Sequence, residues 1–409
     1  MQTNKAVNVI GIVGAGAMGS GIAQIASQAG HEVVLFDLSQ EALTSSSSKL
    51  QKVMNRLIEK GKVTSDEAIA IQERIVRTTM VTSLKDCDLI IEAVVEDLEV
   101  KKRVFKSIEE IASKEAIIAS NTSSLSITSL ASFCAHPDRV VGLHFFNPAP
   151  LMPLVEIIPA LQTNRELPNQ LTDLMRKWDK SPVIAKDTPG FIVNRVARPF
   201  YGEALRILDE GIADVSTIDS AMRQSGFRMG PFQLMDLIGH DVNYSVTESV
   251  FKSFYYDPRY MPSITQLKLV EAGWLGRKSG RGFYNYNEEN EATDVPGQLD
   301  PNVQVEISER IISMLINEAA DAVYLGVASA EDVDTAMLKG VTYLNGLLVW
   351  ADEMGFPNVI RILDEFRASY GDTSYRRRRF PRDFAPESDT AHNTTTTKKH
   401  KQPEKTEKQ

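Results

Sequence analysis

Gly14-Ala15-Gly16-Ala17-Met18-Gly19 follows the apolar run Val7 to Val13 and opens a stretch of helical periodicity that ends at Gly30. Strand, glycine turn and helix in that order give the pattern GxGxxG its working context: the glycines allow a tight turn and bring backbone N–H groups up to a pyrophosphate at a helix N-terminus. The next apolar run, Glu32 to Phe36, ends in Asp37. A carboxylate at that strand end accepts hydrogen bonds from a ribose 2′-OH and repels a 2′-phosphate, so Gly14, Gly16, Gly19 and Asp37 predict an NAD site in preference to an NADP site.

Outward from this turn, short apolar runs alternate with amphipathic stretches, the mark of βαβ units and a parallel sheet. The runs are Val9 to Val13, Val33 to Phe36, Leu89 to Val95, Ile117 to Ala119 and Val140 to Phe146, followed by Leu154 to Ile158 and Val183 to Ala185. After Pro189 the strand signals stop. A helical pattern runs through Asn194, Ala204 and Leu208 to Gly211, placed where a helix would end. The expected fold is an α/β Rossmann-type domain followed by an all-α part.

The all-α part reads as two copies. Glu203-Ala204, Gly211, Asp219 and Ala221-Met222 recur 115 positions later as Glu318-Ala319, Gly326, Asp334 and Ala336-Met337; Asp236 and Gly239 recur 116 later as Asp352 and Gly355. An ordered series at one offset signals a duplicated unit. Residues 1–186 are therefore expected to form the NAD-binding domain, 187–288 a first helical copy, 300–372 a second, and 373–409 a disordered basic tail.

Composition bounds the function. With 409 residues, 43% of them hydrophobic, the chain can bury a large core in two or three domains. Its net charge of −9 lacks the basic excess of a nucleic-acid coat or membrane-surface binder. From Arg376 onward ten Lys or Arg outweigh five Asp or Glu, and no Val, Ile, Leu or Met is present, so that tail reads as a solubilising extension rather than an RNA anchor. No apolar run approaches the roughly 18 residues of a spanning helix, and the glycine turn stands where a signal peptide would continue. Cys87 and Cys134 are too few for a disulfide framework or a Cys-based metal site, and both read as inert, half-buried groups. A cytoplasmic protein acting on a small molecule, without a metal, is expected.

His144 ends one apolar run in the segment HFFNPAP, and Glu156 sits inside the next, LVEII. Prolines 148, 150 and 153 lie between them. If the two runs fold back on each other, the imidazole faces the carboxylate, which fixes one tautomer and suits removal of a proton from an alcohol.

GAGAMGSGIAQ from Gly14, SNTSSL from Ser120, GLHFFNPAPLMPLVEII from Gly142, KDTPGFIVNR from Lys186 and GRKSGRGFYNY from Gly276 together resemble the L-3-hydroxyacyl-CoA dehydrogenase family over residues 5 to about 286. The resemblance implies NAD-dependent oxidation of the 3-hydroxyl of an acyl-CoA, in fatty-acid or phenylacetate metabolism. It makes His144 the base and Glu156 its orienting partner, with Ser123 and Asn194 bonding the substrate oxygens. It adds NAD contacts at Glu96, Lys101, Asn147 and Lys278, with Asn121 a weaker candidate. For the CoA phosphate it points to Lys60 among Lys49, Lys52, Lys60 and Lys62. A 3-hydroxybutyryl-CoA dehydrogenase is the most economical statement, with 3-hydroxyadipyl-CoA and longer chains open. The length leaves no room for a crotonase-like segment, so the hydratase is expected to be a separate protein.

In the second copy Arg195 is matched by Arg310 but Asn194 by Glu309, and neither the glycine fingerprint nor the His–Glu arrangement recurs. One active site per chain is expected, with residues 302–372 packing on 188–286 in place of a partner subunit; a monomer with an internal pseudo-dimer and a homodimer both stay open. The rival readings are a gulonate-type dehydrogenase acting on a free hydroxy acid, which has no use for CoA-facing lysines, and an NAD-binding scaffold without catalysis. A dehydrogenase of the 6-phosphogluconate or 3-hydroxyisobutyrate type relies on a Lys where this chain has HFFNP.

Overall fold

A computed structural model describes residues 7–287, 300–371 and 373–378. Eight strands form one sheet: β1 (Val9–Val13), β2 (Glu32–Phe36), β3 (Ile75–Thr78), β4 (Leu89–Glu92), β5 (Ile117–Ser120), β6 (Val140–Phe145), β7 (Leu154–Pro159) and β8 (Ser181–Ile184), in the spatial order β3-β2-β1-β4-β5-β6-β7-β8. All neighbours pair in parallel except β6 and β7, which are antiparallel. The order turns back beside β1, and in open α/β sheets ligands bind at that crevice beyond the carboxyl ends of the strands.

Strand alternation explains the two cores. Ile10, Ile12, Leu89, Ile91, Val141 and Leu143 point to one face, covered by the helices Ala17–Gln28, Gln40–Glu59 and Leu167–Lys177. Val13, Ile90, Ile118, Val140, Leu154 and Ile158 point to the other, covered by the helices Leu98–Ile111 and Ile127–Ala131 and, over β7 and β8, by the all-α part. Each fully buried Leu, Ile or Val contributes about 1.5–3 kcal/mol, so a sheet buried on both faces needs the near-continuous apolar runs these strands carry. β3 lacked that signal: it is an edge strand with Val76 exposed, and only Ile75 of its four residues is buried. The run from Leu89 is also shorter as a strand than it reads, because Glu92 turns the chain by accepting the N–H of Val94.

Two short helices, Val193–Val196 and Arg198–Asp209, lead into the all-α part, with Gly211 at φ 71° ending the second. The helix Pro301–Tyr324 lies along Arg198–Asp209. Their contact holds charges at depth: Arg195 bonds Glu318 at 2.7 Å and Asp321 at 2.8 Å, while Arg310 bonds Glu203 at 2.9 Å and Glu210 at 2.6 Å. Tyr260 donates its hydroxyl to Glu318, and Tyr375 donates to Glu203. Asp219 caps the N–H groups of Phe232 and Gln233, and Asp334 those of Leu348 and Val349. The later helices also reach the sheet domain, where Lys186 N–H donates to Val327 and Gly340 sits against Leu154 and Val193.

The structure corrects the expected start of the tail. Thr373–Tyr375 forms a turn in which Ser374 and Tyr375 are buried, because the Tyr375 ring and hydroxyl anchor it against Arg310 and Glu203. The rest of the tail, from Arg379, lies outside the described residues. No helix among the described residues is long and apolar enough to cross a membrane.

Removing the cation from the 1%-exposed Arg310 takes from buried Glu203 one of its two ionic partners and leaves it Arg206 and the Tyr375 hydroxyl. Arg310→Met should therefore destabilise the protein by about 1–3 kcal/mol, read from urea or thermal unfolding. Burial pushes the thiols of Cys87 and Cys134 up to about 12. Neither should react with a disulfide reagent at pH 8 in the native protein, and both should react at once in denaturant.

Candidate active site

The glycine turn is built to be approached. A Cβ on Gly19 would stand 1.8 Å from the carbonyl oxygen of Gly14, and one on Gly14 would stand 2.7 Å from that of Ala93, with Gly14 already at φ 106°. A Cβ on Gly16 would meet nothing within 4 Å. The first two glycines are demanded by the fold, and the third keeps a cradle open. The helix Ala17–Gln28 begins at Gly16 with no side-chain cap and no acid in its first turn, which leaves its N–H groups and dipole to an anion. Asp37 accepts the N–H of Ala15 at 2.7 Å and of Ser39 at 2.8 Å, so it both closes the turn and stands at the strand end beside it. These residues fit the pyrophosphate and ribose of NAD.

At the ends of β4 and β5 lies a buried ionic cluster. Glu92, fully buried, accepts from Lys101 at 2.6 Å, from the Ser120 hydroxyl at 2.6 Å and from Val94 N–H. Lys101 is 1% exposed and also meets Glu96 at 3.2 Å. Glu96 takes the hydroxyls of Thr122 and Ser124 and the N–H groups of Ser123 and Ser124. Lys101 and these hydrogen bonds hold its carboxyl below the usual range against the opposing effect of burial. Lys101 is held between two carboxylates, and Glu96 fixes the turn that presents Ser123. Asn121 accepts the N–H of Phe145 and so ties that turn to β6.

His144 and Glu156 are register partners in the antiparallel pair β6–β7. Alternation turns both toward the helical part, and Nδ1 of His144 lies 2.6 Å from Oε2 of Glu156. The imidazole is 6% exposed and Glu156 is fully buried. With Nδ1–H donated to the carboxylate, Nε2 is the nitrogen left to accept a proton. The rings of Phe146 and Phe191 flank the imidazole at 4.4 and 5.9 Å between centroids. The other oxygen of Glu156 accepts the N–H groups of Ile192 and Val193, both at 3.0 Å, at the start of the helix that bears Asn194. Asn194 in turn donates to the carbonyl of Ser123 at 3.3 Å. His144, Glu156, Asn194 and Ser123 are thus brought together from two strands, a helix and the serine turn.

The remaining candidates spread outward. Asn147 is exposed just beyond the end of β6. Lys49, Lys52, Lys60 and Lys62 are exposed along and just past the helix Gln40–Glu59. Lys278 pairs with Asp241 within the helical part, with no polar contact to the sheet domain among the described residues. Sequence reading missed Glu92 and Asp187. The latter accepts from Ser126, Ile127 and Thr128 and so pins the helix after the serine turn to the segment leading into the helical part. Its place in KDTPG was the available signal.

Residues 9–188 match the family model described as 3-hydroxyacyl-CoA dehydrogenase, NAD binding domain, and residues 190–286 and 307–397 match that of the C-terminal domain. The chain is 37% identical to a 3-hydroxyadipyl-CoA dehydrogenase of Escherichia coli K12, over 90% of this chain and 96% of that protein. It is 42% identical to a probable 3-hydroxybutyryl-CoA dehydrogenase of Deinococcus radiodurans, over 68% of this chain and 99% of that one. A crystal structure of a 3-hydroxybutyryl-CoA dehydrogenase from E. coli K12 superposes with a TM-score of 0.86 at 36% identity, covering 91% and 97% of the two chains.

Replacing Asp37 by Ser removes the acceptor at the end of β2. The Kd for NAD, read by titration calorimetry, should rise roughly tenfold or more, the worth of a hydrogen bond to a charged group, and the preference over NADP should narrow.

Proposed function

The chain belongs to the 3-hydroxyacyl-CoA dehydrogenase family and is an NAD-dependent oxidoreductase, and from that premise we propose that it oxidises an L-3-hydroxyacyl-CoA of short chain, such as 3-hydroxybutyryl-CoA, with His144 as base. The observation that carries this reading is the His144–Glu156 pair. The hydroxyl proton at C3 passes to Nε2 of His144 as the C3–O bond becomes a carbonyl. NAD, held at the glycine turn, would supply the acceptor for the hydride that leaves C3. Glu156 holds the ring in one tautomer and offsets the charge that forms on it; Ser123 and Asn194 bond the substrate oxygen and set C3 in place. Such positioning is the protein's main contribution when a cofactor supplies the redox chemistry.

The glycine turn and Asp37 would hold NAD, with Asn147 near the nicotinamide end and Lys60 available to the CoA phosphate. The names of the relatives support an acyl-CoA over a free hydroxy acid, and they span four-carbon and six-carbon acyl groups. Two free thiols and bacterial relatives of high coverage support a cytoplasmic setting.

The second helical stretch serves as an internal partner for the first. Arg195 with Glu318 and Arg310 with Glu203 are reciprocal bonds between positions 115 apart, as are Tyr260 with Glu318 and Tyr375 with Glu203. Reciprocity of that kind is the property of a two-fold interface, in which residue i meets j and j meets i. Glu309 in place of Asn194 supports one active site per chain.

NADH absorbance after mixing protein, NAD and L-3-hydroxybutyryl-CoA should rise, and the D isomer and gulonate should stay silent. His144→Ala should lower kcat by about 10²–10⁴-fold while the Kd for NAD stays within about twofold; loss of both together would count against the assigned role.

A further inference from the structure

The second helical stretch touches the sheet domain as well as the first copy, and it does so behind the catalytic pair. β8 is the last strand of the sheet, and its outer edge is closed from there: the Ile184 N–H donates to the Asp332 carboxylate, and the Lys186 N–H to the Val327 carbonyl at 2.7 Å. The helix Ala330–Gly340 packs on β8 and β7 and on the helix Val193–Val196. Its last residue, Gly340, is buried. A Cβ there would stand 2.6 Å from Cδ2 of Leu154 and 3.0 Å from Cγ2 of Val193, inside the distance at which carbons pack. Gly340 is not among the glycines with a positive φ, so space, and not backbone angle, demands it.

Both neighbours of Gly340 serve the catalytic pair. Leu154 lies two residues before Glu156 on the same face of β7, while Val193 donates its N–H to Glu156 and immediately precedes Asn194. The duplicated helical part supplies an internal comparison. Ser308 is the residue 115 positions after Val193, and the first copy's helix Val215–Gln224 ends beside it, with Ser225 and Ser308 joined hydroxyl to hydroxyl at 2.7 Å. There, where Glu309 replaces Asn194, the seam is made by two short polar side chains. At the active site it is made by a backbone without a side chain, set directly against a leucine and a valine. A β-branched valine is stiff and a close-packed interior has no slack, so a displacement at this seam passes on to the backbone of Val193 and β7.

We propose that Gly340 is a positioning residue for the oxidation. By admitting the second helical copy to direct contact with Leu154 and Val193, it sets the spacing between β7 and the helix of Asn194 and, through Glu156, the aim of His144 at the C3 hydroxyl. This rests on the role of His144 and on the internal-partner reading given above. The second copy supplies no group that touches the substrate, yet it forms the rear wall of the site.

The test uses the full chain and L-3-hydroxybutyryl-CoA, at a temperature well below the melting transition of each variant. Gly340→Ala has to move a neighbour by up to about 1 Å, so kcat should fall by about 10- to 100-fold while KM and the Kd for NAD stay within about twofold. Leu154→Val returns the space, and the double variant should recover most of the loss. Ser225→Ala cuts the equivalent seam in the other copy; it should lower the melting temperature and leave kcat within about twofold, which separates positioning from a general loosening of the helical part. Should Gly340→Ala fail to fold, Leu154→Val alone decides: it opens a gap at the same seam and should lower kcat at least about threefold with KM unchanged. Wild-type kcat in Gly340→Ala, a parallel loss of kcat and NAD affinity, a double variant no better than Gly340→Ala, or an equal loss of kcat in Ser225→Ala overturns the role of Gly340 and leaves the reaction standing. Silence of the wild type overturns the reaction itself.

Discussion

One carboxylate holds the molecule's two halves in register. Glu156, fully buried on β7, gives one oxygen to the ring of His144 and the other to the N–H groups at the start of the helix that bears Asn194. The same side chain orients the base and docks the helical part on the sheet. A buried carboxylate survives only when its lone pairs are filled, and here the filling comes from both domains. Neither half can shift without stranding it. The serine turn, through Ser123 and Asn194, closes the ring of contacts around the space where C3 is placed.

Around this centre the structure uses buried charge as a positioning device. Glu92 and Lys101 lie beneath the serine turn, and Glu96 above them accepts from five of that turn's donors, the Ser123 hydroxyl among them. At the far side Arg195, Glu318, Arg310 and Glu203 set the angle between the long helices. Such pairs add little net stability against an apolar alternative, since desolvation offsets much of their attraction. Their geometry is demanding, however, and a demanding geometry is what a catalytic constellation has to be held by.

Much of this was legible in the chain. The glycine turn, seven of the eight strands and the His144–Glu156 juxtaposition follow from local pattern, because period-two alternation decides both which residues face the core and which face one another across an antiparallel pair. β3 escaped because an edge strand buries too little to need an apolar run. Glu92 and Asp187 escaped for a different reason: what defines each is the set of donors that the fold brings to it from other elements. Glu96 and Lys101 were singled out, but pattern could not show that one of them is buried and that the other holds the serine turn. Tyr375 sits beside an arginine run whose composition hid it, and only the depth of the Glu203 and Arg310 pair explains why the fold extends that far.

The bonds between Arg195 and Glu318 and between Arg310 and Glu203 join two stretches of one polypeptide. Their formation is therefore a unimolecular event, governed by an effective concentration set by the connecting segment and independent of how much protein is present. An assembly of separate subunits would come apart on dilution; this contact has no dissociation equilibrium to be drawn through. The cell can hold the enzyme at any abundance, down to a few copies, with the helical face behind the active site still covered.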